Sequence, residues 1–256
     1  MIKKLVRTMS HNHRVRRQFL PAFTLTEILV VILIVVTLAA VSFLVTKKLK
    51  RSANSAKAVA SLRQLGSLAL GLTSERGGRL PNEGHYPGQG PPNAPYEDDN
   101  SWDGSVLRYF GAEDVDFIST PPIVPLSYES MFMHGNDVQP PPVEQGGMQT
   151  ARRTFVYNRA LSDVPLSNVD NIARTAMLSE LPWQTGGRRR VGFKSTSFMD
   201  ISQMIPNPDT GEDLNPGGKF NFVFTDGHVE QLTREESAGT GTIQKPKGMW
   251  TIVGDD

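Results

Sequence analysis

Residues 28–45 read ILVVILIVVTLAAVSFLV, eighteen positions with no charge and only Thr37 and Ser42 as polar interruptions. As a helix rising ~1.5 Å per residue, they extend about 27 Å, close to the hydrocarbon thickness of a bilayer. A run this uniformly apolar on every face argues against a buried core helix, which would be apolar on one side. Including flanking residues, the membrane-spanning part is expected at about 25–46. A secretory signal peptide is the rival reading, because a basic region precedes the run and Ala39-Ala40-Val41-Ser42 imitates a small-residue cleavage site.

The chain has 256 residues, enough for one medium domain with extensions. Residues 1–22 hold Lys3, Lys4, Arg7, Arg14, Arg16 and Arg17 and no acid. Without these six, 21 of the 27 basic residues face 26 acids, so the remainder carries a net charge near −5. That sign disfavours nucleic acid as a partner, since phosphate binding needs a basic surface. The Arg188-Arg189-Arg190 cluster reads as an exposed turn. Cysteine is absent, which removes disulfides, thiolate metal sites and a Cys nucleophile. Basic residues ahead of the apolar run favour a cytoplasmic N-terminus and place the C-terminal bulk outside. Lys47, Lys48, Lys50 and Arg51 on the far side compete with that rule, their stems reaching toward outer headgroups.

Glu27 lies at the start of the apolar run, where an ionisable side chain costs roughly 2.5–3.5 kcal/mol on insertion scales at a helix centre and marks a candidate functional site. The string Pro21-Ala22-Phe23-Thr24-Leu25-Thr26-Glu27-Ile28-Leu29-Val30 resembles the processing site of type IV pilins and type II secretion pseudopilins. The resemblance implies cleavage by prepilin peptidase between Ala22 and Phe23 and N-methylation of Phe23. Glu27 would then pair with the N-terminal ammonium of a neighbouring subunit. Ala22 stands where the family usually has Gly.

After Arg51, Ala58, Leu62, Leu65, Ala69 and Leu72 follow the 4-3-4-3 spacing of one helix face. One helix is therefore expected from about Phe23 to about Ser74, some ~80 Å long at ~1.5 Å per residue, ended by Gly77-Gly78 and Pro81. The domains are then a basic leader at 1–22, the long helix at 23–75, and an extracytoplasmic head at 76–256.

In the head, residues 76–96 are rich in Gly, Pro and Asn and read as loop. The stretch 97–104, EDDNSWDG, concentrates oxygen ligands, which makes Asp98, Asn100 and Asp103 calcium candidates. Their spacing is not that of an EF-hand, and a solvated acidic turn is the simpler reading. Thr154–Asn158 and Thr175–Ser179 look like strands. Phe220, Phe222 and Phe224 alternate with Asn221, Val223 and Thr225, giving a strand with one aromatic face. Asp226-Gly227 supplies a turn, and residues 228–232 return as a partner strand. The fold class expected is α+β, a long helix packed on a small antiparallel sheet, as in pilins.

The segment Asn221-Phe222-Val223-Phe224-Thr225-Asp226-Gly227-His228-Val229 resembles the C-terminal signature of a bacterial pilin-like group, in which a His precedes Asp-Gly by ten positions. Pro216 occupies that position here, so the role of that His is not carried over. Asp226 and His228 also invite a metal-hydrolase reading, but no third ligand is specified and no GxSxG, HExxH, P-loop or GxGxxG motif is present. The expectation is a non-enzymatic filament subunit in a bacterial inner membrane, with other pilin or pseudopilin subunits, the assembly platform and membrane lipid as partners and no cofactor. A membrane-anchored periplasmic binding module that does not polymerise is the alternative.

Overall fold

The computed structural model describes residues 24–82, 102–112, 124–139, 144–145, 148–149, 151–182, 195–196, 201, 204–206 and 211–253. Helix α1 runs unbroken from Leu25 to Glu75. The chain divides into two compact units between Thr46 and Lys47.

In the first unit, the described residues form the opening of α1, and every one of them is exposed. Its few hydroxyls turn back on the helix: Thr37 donates to the carbonyls of Leu33 and Ile34, and Thr46 to that of Ser42 at 2.8 Å. Polar side chains satisfied in this way leave an apolar outer surface. Among the described residues, α1 is the one helix long and apolar enough to cross a membrane.

The second unit begins with Lys47 and contains the rest of α1 and the head. Here α1 buries Ser55, Ala58, Leu62, Leu65, Gly66, Ala69 and Thr73. This is the expected face with Ser55 and Gly66 added, while Leu72 is only partly buried and Thr73 takes the inner position, its hydroxyl bonded to the Ala69 carbonyl at 2.7 Å. The helix stops where Gly77 and Gly78 adopt positive φ and the Gly78 N–H returns to the Thr73 carbonyl, a glycine-dependent C-terminal cap.

The main sheet has strands β3 (Phe155–Asn158), β4 (Ala176–Glu180), β5 (Ser195–Thr196), β6 (Lys219–Phe224) and β7 (Val229–Thr233), in the order β5-β3-β4-β6-β7. Strands β3, β4, β6 and β7 are antiparallel, whereas the two-residue β5 joins β3 in parallel. A separate two-stranded ribbon pairs β1 (Glu144–Gln145) with β2 (Met148–Gln149). Short helices α2 (Trp102–Tyr109), α3 (Glu129–Phe132) and α4 (Arg234–Ser237) complete the elements used below.

Both faces of the sheet are covered. One packs on α1 and α2 through Leu62, Leu65, Trp102, Val106, Phe155, Tyr157, Met177 and Val223. Phe220, Phe222 and Phe224 lie on the other face, against Trp250 and Met249 from the C-terminal segment. Phe222 meets Trp250 edge-to-face, with ring centroids 5.9 Å apart, and the Trp250 indole donates to the Ser237 carbonyl. The expected aromatic face therefore exists, but it turns away from the helix. Contact with α1 instead relies on close approach, since a Cβ on Gly66 would lie 2.6 Å from Val223 Cγ1.

Candidate functional site

Three places carry candidate chemistry. The first is the start of α1. Thr24 and Glu27 form a reciprocal cap: the Glu27 N–H donates to the Thr24 hydroxyl at 3.3 Å, while Glu27 Oε2 accepts from the Thr24 N–H and hydroxyl at 2.8 Å each. A Thr three residues before a Glu is the sequence pattern of this device, which satisfies amides that a helix start leaves open. Glu27 thus terminates the helix through one oxygen, and Oε1 has no protein partner among the described residues. Ala22 and Phe23, on either side of the expected cut, lie outside the described residues.

The second place is the hairpin joining β6 and β7. The Gly227 N–H closes a turn on the Phe224 carbonyl, Gly227 has φ +91°, and the Phe224 N–H pairs with the His228 carbonyl. The loop is therefore three residues long, with glycine in the left-handed position, rather than a two-residue turn. Asp226 Oδ1 accepts from the His228 N–H at 3.0 Å and meets Nδ1 at 2.6 Å, and the imidazole stacks on Phe224 at 4.4 Å. Partial burial raises the Asp226 pKa, but the bonds from the His228 N–H and ring together outweigh it and hold the carboxyl below its ordinary value. The pair organises the turn, and among the described residues no group of three or more His, Asp or Glu side chains is disposed to hold a metal.

Of the calcium candidates, Asp98 and Asn100 lie outside the described residues. Asp103 is 1% exposed, in the first turn of α2, and is committed elsewhere. Its Oδ2 accepts from Arg153 Nε at 2.6 Å and its Oδ1 from the Gly104 N–H at 2.9 Å. At Asp103 the expected solvated turn is replaced by a buried ion pair, with the guanidinium 5.7 Å over the Phe132 ring.

The third place is a polar cluster inside the head that the sequence reading did not single out. Glu180, at the end of β4, is fully buried. Its Oε2 accepts from Asn215 Nδ2 at 2.6 Å and from the Asn221 N–H at 2.9 Å, and its Oε1 accepts from Asn221 Nδ2 at 2.7 Å. His134 Nε2 lies 3.2 Å from Asn215 Oδ1 and 3.8 Å from Glu180 Oε1. His134 Nδ1 accepts the Asn136 N–H at 3.0 Å, so the ring carries its proton on Nε2 and is neutral. The His134–Glu180 contact is accordingly not an ion pair.

Burial pushes the Glu180 carboxyl up to about 7, outweighing its three N–H donors, and pushes His134 down to about 4, with the Asn215 bond opposing and the Arg51 charge assisting. The signs are opposite. The Glu180 contribution to stability is fully present below pH 4.5 and lost as pH rises through about 7. That of His134 is present above pH 6.5 and lost as pH falls through about 4. One clue was visible in advance, a polar Asn221 between two phenylalanines in a strand.

No family model matches this chain, and no curated protein or solved structure is significantly similar to it.

Proposed function

We propose that the chain is a structural subunit of a type IV pilus-like filament, specifically a type II secretion pseudopilin, held in a bacterial inner membrane by residues 25–46. The N-terminus is cytoplasmic and the head periplasmic. The observation that carries this reading is the opening of α1. Twenty-two consecutive helical residues, 25–46, expose their side chains and contain one ionisable group, Glu27, in the first turn. The likeness of residues 21–30 to a prepilin processing site, and of 221–229 to a pilin-like signature, supports the assignment.

In this reading prepilin peptidase cuts between Ala22 and Phe23, and the new amino group of Phe23 is methylated. Thr24 keeps its amide and hydroxyl after the cut, so the cap on α1 survives. Glu27 Oε1 remains to receive the Phe23 ammonium of the next subunit. Two charges that are each costly in lipid become tolerable when they meet at close range. The assembly platform then adds subunits so that apolar helices line the filament core and heads face outward. The proposal requires no cofactor and assigns no catalytic role to Asp226 or His228.

Mass spectrometry of the membrane-extracted protein tests the processing step: the mature chain begins at N-methyl-Phe23. An N-terminus near residue 41 means an ordinary signal peptide and ends the proposal. In parallel, Glu27→Ala should insert in the membrane normally and fail to enter filaments. A processed chain that stays monomeric in its native membrane favours the anchored binding module instead.

A further inference from the structure

Asn136 joins three segments of the head. Its Nδ2 donates to the Arg51 carbonyl on α1 at 3.1 Å and to the Leu214 carbonyl at 2.8 Å, and its Oδ1 accepts from Asn54 Nδ2 at 2.9 Å. The turn presses directly on the helix, since a Cβ on Gly135 would lie 2.7 Å from Asn54 Cγ. The backbone of the turn is held by two bonds, from the Asn136 N–H to His134 Nδ1 and from the Asp137 N–H to the His134 carbonyl, and the first of these orients Asn136. That bond exists only while Nδ1 carries no proton, because an N–H facing a protonated ring nitrogen sets donor against donor.

We propose that the turn 134–137 is a proton-operated latch on α1, closed while His134 Nδ1 accepts the Asn136 N–H and opened when that nitrogen is protonated. Opening removes the Asn136 bonds to Arg51, Asn54 and Leu214 together, because all are made by one side chain on the repositioned backbone. The latch acts on a part of α1 that has no buried apolar side chain. Between Lys47 and Ser55 the helix is fastened by polar contacts: Lys47 and Arg51 to Glu212, Arg51 to the Asp213 carbonyl, and Ser55 to the Leu214 carbonyl. From Ala58 onward apolar burial takes over, and that part stays seated.

Each element around His134 brings a charged or titratable group. They are Glu180 from β4, Asp137 from the turn itself, bonded through the Thr154 hydroxyl, and Arg51 from α1, paired with Glu212. Arg153, next to Thr154, is neutralised by Asp103. As pH falls, the first proton taken up by the buried pair goes to Glu180, which leaves the His134 bond intact, and the second goes to His134 and breaks it. The latch is thus silent near neutral pH and opens in acid. This inference does not depend on filament assembly.

Absence of native cysteine makes the test direct. The full chain in detergent carries Ala53→Cys and Val138→Cys, both at exposed positions, with a spin label on each. A narrow distance distribution is expected at pH 6, and its loss as pH falls through about 4 while near-ultraviolet dichroism of the head persists. His134→Asn, whose side-chain oxygen can accept the same N–H without titrating, should keep the narrow distribution in acid. The proposal is overturned if the wild-type distance is unchanged at pH 3.5, if head dichroism is lost at the same midpoint, or if His134→Asn opens as the wild type does. Should that variant not fold, nitrogen NMR of labelled histidine decides: protonation at His134 Nδ1 must share the midpoint of opening, and separate midpoints reject the latch.

Discussion

The two halves of α1 both contain Leu and Ala, yet Leu33 is 60% exposed and Leu62 fully buried. The residue type is the same at both positions; what differs is the arrangement of polar neighbours around the helix. From 28 to 45 apolar side chains occupy every direction around the helix, so no direction is preferred and the medium must supply the contacts. From 55 to 73 small and apolar residues recur on one side with Lys57, Arg63, Gln64 and Ser67 on the other, so one side has a unique place to go. A single helix thus makes two kinds of surface by admitting charged residues on one side only.

The sharpest test of that contrast is a matched pair of truncations. Leu62→Ala opens a cavity beneath the sheet and should cost the head about 2–5 kcal/mol in denaturant unfolding of the detergent-solubilised chain. Leu33→Ala should leave the same midpoint in place, and an equal loss from both would erase the distinction. Enlarging a small residue comes next. Gly66→Ala gains up to about 1 kcal/mol of helix propensity but drives a methyl into the stiff Val223 side chain, an overpacking cost of about 1–3 kcal/mol, so a net lowering of the melting temperature is expected. Ala40→Leu, on the half exposed all round, should not move it. The smallest effect belongs to the boundary between the halves. Glu212→Gln removes the partner of Lys47 and Arg51, and its modest lowering of the midpoint should vanish in 1 M salt, where exposed charges are screened.

Much of this architecture was legible in the residues. The 4-3-4-3 spacing located the buried side of α1, and β-branched and aromatic runs located β3, β4, β6 and β7 to within a residue or two. Gly77-Gly78 marked the end of the helix. What remained hidden depends on contacts between distant positions. Residues 238–253 have no periodicity, so nothing local announced that Trp250 would cover the phenylalanine side of the sheet. His134, Glu180 and the stretch from Asn215 to Asn221 come from three separate segments, and no spacing rule brings them together. Asp103 looked solvated because its neighbours in sequence are acidic; its neighbour in space is Arg153, fifty positions away.

The close approach at Gly66 has a mechanical side. Val223 sits in a notch that exists at one position only, because the neighbouring inward residues along α1 are Leu62, Leu65 and Ala69. To slide along its own axis by even one residue, about 1.5 Å, the helix would have to force a side chain over that methyl group. Tension applied along α1 therefore meets a detent instead of a smooth apolar bearing. The head resists being dragged along its own stalk by shape, and that resistance persists at salt and pH values that weaken the charged contacts near Lys47.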